Sequence, residues 1–98
     1  MEQIVYKIEQ FEGPLDLLLT LVTKNKMNIE DIQISIIFDQ YMEYMNTMQS
    51  MNIELSAEFI VMASELMYIK SKLLLPRINE EEDPRERLAA AILEYKRA

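Results

Sequence analysis

Apolar residues recur along most of this chain at the three- and four-residue spacing of an α-helix. Leu15, Leu18, Leu19 and Val22 make one face, widened by Leu17 and Leu21. Gly13 supplies a turn in front of them, and Pro14 suits a first helical position, where its missing N–H costs nothing. Asp16 complements the positive end of the helix dipole, and the helix should fade around Lys24 to Lys26. Asn28-Ile29-Glu30-Asp31 reads as a cap followed by a single helical turn. A longer helix should begin near Ser35 and end near Met51-Asn52, with Ile37, Phe38, Tyr41, Met45 and Met48 inward and Asp39, Gln40 and Glu43 outward.

The stretch from Ser56 to Pro76 carries the strongest signal. Ser56 is the expected N-cap, its hydroxyl taking a backbone N–H of the first turn. Glu58 lies at the positive end of the helix dipole, and Lys70 and Lys72 lie near the negative end. Pro76 disfavours helical geometry at the residue before it and so stops the helix. One row runs Phe59, Met62/Ala63, Leu66, Ile69, Leu73, and an adjacent row runs Ile60, Ser64, Met67, Ser71, Leu74. The third row, Val61, Glu65, Tyr68, Lys72, Leu75, is mixed. A surface helix usually shows an apolar arc of about 100°, whereas this one covers roughly two-thirds of the circumference. Either the helix is central in its own domain, or it holds a face for a partner. The two serines, seven residues apart, would let another helix approach closely. Met42, Met45, Met48, Met51, Met62 and Met67 fit either an irregular core or an adaptable binding face.

The ends of the chain read differently. Residues 4–9 alternate, with Ile4, Tyr6 and Ile8 on one side, which signals a short extended arm or a frayed terminus. Ile78-Asn79-Glu80-Glu81-Glu82-Asp83 is an acidic run expected to be a solvated linker. Asp83-Pro84-Arg85-Glu86 then restarts a helix, with Asp83 as cap and Pro84 at the first position, and Leu88, Ala91, Ile92 and Tyr95 share a face. That helix stops at Lys96-Arg97-Ala98 without glycine or proline, as if cut from a longer chain. The expected fold class is therefore all-α. It is a small bundle of three main helices plus a fourth after an acidic linker, with a short strand-like arm in front.

Composition narrows the function classes. Ninety-eight residues make one small domain, and one Gly with three Pro fits a chain with few tight turns. No run of about 18 apolar residues is present, which removes a membrane-spanning helix, and the first residues lack a secretory pattern. With no Cys and no His there is no thiol nucleophile, no imidazole base and no ordinary zinc site. A cysteine-free chain fits the cytoplasm. A single glycine leaves no glycine-rich phosphate loop. The carboxylates lack the spacing of a calcium loop. Neither catalytic residues nor a cofactor or metal site are expected. A net charge of −7 speaks against direct contact with nucleic acid, because such contact replaces counterions with Lys and Arg.

Several strings resemble one family. Phe11-Glu12-Gly13-Pro14-Leu15-Asp16-Leu17-Leu18-Leu19 is similar to the opening motif of the bacterial segregation and condensation protein A (ScpA) family of kleisins. The likeness continues through Ile32 to Gln40-Tyr41, at Glu58-Phe59-Ile60-Val61-Met62-Ala63, and at Ile69-Lys70-Ser71-Lys72-Leu73-Leu74-Leu75-Pro76. Asp83-Pro84-Arg85 and Leu93-Glu94-Tyr95-Lys96 extend it. Ser64 and the methionine-rich middle are mild departures.

The resemblance implies a non-enzymatic adaptor in chromosome condensation and segregation, cytoplasmic and held at the nucleoid through its SMC partner. Residues 1–78 would be the kleisin N-terminal helical domain, which binds the coiled-coil neck of an SMC ATPase. Residues 79–98 would be the linker and the start of a central segment that binds a ScpB dimer. On that basis Ile60, Ser64, Met67, Ser71 and Leu74, with Ala63 and Lys70 at the border, are assigned to the SMC neck, and the Phe59 row to the core. The opposite division of the helix stays open. Leu88, Ile92 and Tyr95 are assigned to the ScpB-type partner. A second reading is a self-associating helical dimerisation module. Weak, dissociating self-association of the isolated chain fits the first reading, and a tight dimer fits the second.

Overall fold

Helix starts and stops follow from local chemistry. The computed structural model describes residues 11–75 and 83–97. Over those residues the chain forms α1 (Pro14–Lys24), a 3-10 turn (Ile29–Asp31), α2 (Ile34–Ser50), α3 (Ala57–Leu74) and α4 (Glu86–Arg97). No strand occurs among the described residues, and the fold is an all-α bundle. The arm expected at residues 4–9 and residues 78–82 of the acidic linker lie outside the described residues.

Pro14 does occupy the first turn of α1. Gly13 before it is fully extended (φ 178°), and a Cβ there would meet only the Glu58 carboxylate at 3.8 Å. Glycine is therefore not required by the backbone at this point, contrary to expectation. Asn28 caps the 3-10 turn as expected, its Oδ1 accepting the Glu30 N–H at 2.9 Å. α1 and α2 end alike. Lys26 (φ 58°) and Asn52 (φ 61°) adopt the left-handed conformation just past each helix. The next residue then closes the end, with the Met27 N–H on the Val22 carbonyl at 3.0 Å and the Ile53 N–H on the Met48 carbonyl at 2.9 Å. α3 begins after Ser56, which takes the N-cap backbone, but no side-chain hydrogen bond caps the helix. Its end at Leu75 is extended (φ −86°, ψ 145°), the conformation favoured before a proline.

One core joins all four helices. Leu17, Leu18, Leu21 and Val22 of α1 meet Ile37, Tyr41 and Met45 of α2 and Phe59, Ala63, Leu66 and Ile69 of α3. Ile32 seals the base from the segment after the 3-10 turn, and Leu88 and Ile92 enter from α4. α2 packs mainly on α3, while α4 packs on α1 and on the 3-10 turn. The expected division at residue 78 is thus not a division of packing, because α4 completes the same core as α1. The buried Tyr41 hydroxyl donates to the Phe59 carbonyl at 2.9 Å and pins the first turn of α3 against α2. Gln40 does not point outward as expected. It forms a reciprocal amide pair with Asn25, at 2.8 and 3.2 Å, that ties α2 to the end of α1.

Candidate partner-binding face on α3

α3 has eighteen residues and more apolar side chains than its neighbours can cover. Phe59, Ala63, Leu66 and Ile69 face the core, with Met62 and Leu73 partly buried beside them. The other side is open. Ile60 is 50% exposed, Met67 53% and Leu74 73%, and Val61, Tyr68 and Leu75 are exposed as well. At about 100° per residue these six side chains and the intervening Ser64 and Ser71 fill an arc of about 140°. Charges stand only at its edges, Lys70 on one side and Glu58, Glu65 and Lys72 on the other.

The spacing within this arc is informative. Ile60, Ser64, Met67, Ser71 and Leu74 alternate at intervals of four and three, the repeat of a seam that meets another helix along its length. Apolar residues and serines alternate along this row, so another backbone could approach closely at Ser64 and Ser71. The Ser64 hydroxyl is already turned onto its own helix, donating to the Ile60 carbonyl at 3.4 Å. Covering the arc would therefore not oblige the Ser64 hydroxyl to find a new partner. Exposed apolar patches of this kind mark interaction surfaces more often than isolated exposed residues do.

The expected site residues fall on both sides of the helix. Ile60, Ser64, Met67, Ser71 and Leu74 lie together in solvent. Ala63 does not join them: it is 8% exposed and belongs to the core. Its position, between the core row and the open arc, leaves its methyl under the neighbouring helices. Lys70 is half-buried at the border, with its ammonium 5.1 Å from the centre of the Phe38 ring on α2.

The three residues expected to meet a second partner separate as well. Leu88 is buried and Ile92 is 0% exposed, both inside the bundle. α4 turns them into the core beside α1 and the 3-10 turn, while Ala89 and Leu93 stay partly exposed. Leu88 and Ile92 are therefore not surface contacts. Tyr95 stays half-exposed, its hydroxyl donating to the Glu12 carboxylate at 3.0 Å.

Arg85 escaped the sequence reading. Its Nη1 donates to the Ile32 carbonyl at 2.8 Å and lies 3.4 Å from Asp31. Its Nη2 and Nε reach the Asp83 carboxylate at 2.7 and 3.1 Å. The Asp83 hydrogen bond is the main influence holding the guanidinium pKa above its ordinary value. Arg85 thus fastens the start of α4 to the 3-10 turn. The helix itself begins at Glu86, with Pro84 and Arg85 in a turn before it rather than in its first turn. Asp83-Pro84-Arg85 was visible in the sequence, but the contacts some fifty residues away were not.

Beside this fastening lies a cleft of about 270 Å³ lined by Ile29, Ile32, Ala89 and Leu93, with Arg85 and Asp83 at its rim. Arg85 and Asp83 are paired with each other, Glu30 and Glu86 are the other charged residues of the lining, and no Ser, Thr, Tyr or Lys lines the space. Among the described residues no group of three acidic side chains is placed to hold a metal, and no helix is long and apolar enough to cross a membrane.

Comparison with known proteins gives one family. Residues 21–98 match the family model described as Segregation and condensation protein ScpA. Curated proteins named Segregation and condensation protein A are similar over nearly the whole chain. One from Caldanaerobacter subterraneus is 52% identical over 93% of this chain. One from Thermoanaerobacter (strain X514) is 50% identical over 93% of it, and one from Listeria innocua 46% over 99%. The chain spans only about two-fifths of these relatives, 40%, 41% and 43% of their respective lengths.

Proposed function

The chain belongs to the segregation and condensation protein A family, and from that premise we propose that it is an adaptor, without chemistry of its own, in a chromosome segregation and condensation complex. Its α3 docks on the coiled-coil neck of an SMC subunit. The observation that carries the reading is the open apolar arc of α3, with Ile60, Met67 and Leu74 in solvent at seam spacing. The family name supplies the role in segregation and condensation, and the arc supplies the means, a helix laid along another helix. A ScpB-type partner belongs to the same reading. With Leu88 and Ile92 in the core, its contact with this chain falls on other residues, Tyr95 among those expected.

The experiment is calorimetric titration of the chain into an SMC head that carries a short length of its neck. A one-to-one complex with a negative heat-capacity change is expected, because apolar surface leaves water. Met67→Glu should abolish binding while leaving helicity unchanged, since Met67 touches solvent and not the core. Binding that survives Met67→Glu would move the contact off this arc. A folded chain that ignores the SMC neck and forms a tight dimer would make it a self-association module instead.

A further inference from the structure

Between Met27 and Leu75 the sequence holds two cations against seven carboxylates, and both cations lie near the end of α3, at Lys70 and Lys72. They flank the apolar arc from opposite edges. Neither makes an ion pair among the described residues. Instead, each ammonium is parked over an aromatic ring, Lys70 over Phe38 at 5.1 Å and Lys72 over Tyr68 at 5.8 Å. Toward the start of α3 the same border carries only carboxylates, Glu58 and Glu65. The docking face therefore has an acidic half and a basic half.

We propose that Lys70 and Lys72 form a two-sided cationic clamp for carboxylates on the docked coiled coil, and that the order of charge along α3 fixes the direction in which the coiled coil lies. The inference rests on the docking reading above and adds the chemistry of the partner. Two cations without carboxylate partners, held at the edges of an apolar stripe, remain partly hydrated and available. A coiled coil with acidic residues at one end of the contact and basic residues at the other would match both halves. Laid the opposite way, it would set like charges against each other at both ends. Rim charges of this kind act mainly on encounter and on orientation, and salt screens them. The rings keep the ammonium groups at the edge of the arc and out of its middle.

A charge-neutral exchange tests this. Glu65→Lys with Lys72→Glu inverts the order of charge on one edge without changing net charge or composition. Both residues are exposed and outside the core, and circular dichroism of the exchange checks that helicity is kept. Association with the SMC head and neck is followed by stopped flow at low and high salt. The exchange is expected to slow association about tenfold at low salt, and the gap should close at high salt. Lys72→Gln, which only removes one cation, should give a smaller loss in the same direction. Equal rates and equal salt dependence for wild type and the exchange would overturn the clamp and leave the docking reading standing. Absence of binding by the wild type would overturn the docking reading, and the clamp with it.

Discussion

α3 and α4 dispose of their apolar residues in opposite ways. α4 has one stripe, Leu88 and Ile92, and the bundle covers it completely. α3 has two sides, one buried through Phe59 and Leu66 and the other in solvent through Ile60, Met67 and Leu74. An amphipathic stripe by itself therefore says nothing about partners, since an isolated helix as short as α4 is marginal and needs that stripe to dock at all. Surplus is what marks an interface, meaning apolar surface beyond what the neighbours can cover. The same comparison explains why α4, which looked like an appendage, is part of the core.

The contrast can be tested across a single peptide bond. Leu66→Ala should cost about 2–5 kcal/mol of stability, because Leu66 is wholly inside, and Ile92→Ala should cost a similar amount if α4 is integral. Met67→Ala, one residue along, should change stability by no more than about 0.5 kcal/mol. Urea denaturation of the three variants measures this. A small loss for Ile92→Ala would make α4 peripheral and undo the comparison.

Arg85 offers a gentler probe of α4. Arg85→Ala removes the bond to the Ile32 carbonyl and the pairing with Asp83, at an expected cost of about 1–2 kcal/mol, moderated by partial exposure. Hydrogen exchange should then quicken in α4 and the 3-10 turn before it does in α3.

Tyr41 probes the other side. Tyr41→Phe deletes the hydrogen bond to Phe59 and should cost about 1 kcal/mol at neutral pH. Burial holds the phenol above its ordinary value of 10.0. The unfolded chain ionises first, so the stability that Tyr41 contributes is intact below about pH 10 and lost as pH rises beyond it, by about 1.4 kcal/mol per unit. Urea unfolding at several pH values should show the wild-type advantage over Tyr41→Phe gone by about pH 11.

The smallest effect is a gain. Lys26→Gly relieves a left-handed residue at the end of α1 and should stabilise the chain by about 0.5–1 kcal/mol, visible as a higher urea midpoint. It should leave docking through α3 untouched.

The helices themselves were legible because their signals are local. Pro14, Asn28 and Pro76 carry their meaning within a few residues, and the Phe59–Leu66–Ile69 row needs only the helical period. The left-handed stops at Lys26 and Asn52 were hidden, since neither position carries the glycine that usually marks one. The Asn25–Gln40 pair, the Arg85 fastening and the burial of Leu88 and Ile92 all depend on which helices become neighbours, and periodicity holds no such information. For the candidate face, the sequence showed that α3 had too much apolar surface. Which side would be open depended on where α1 and α2 come to lie.

The open side of α3 also has a consequence for how the protein is made. Ile60, Met67, Tyr68 and Leu74 stand in solvent in this chain. If α3 docks as proposed, copies in excess of the coiled coil would meet one another, or chaperones and proteases, through the same patch. On that reading, balanced synthesis with the docked coiled coil is a demand written into the surface of this one helix.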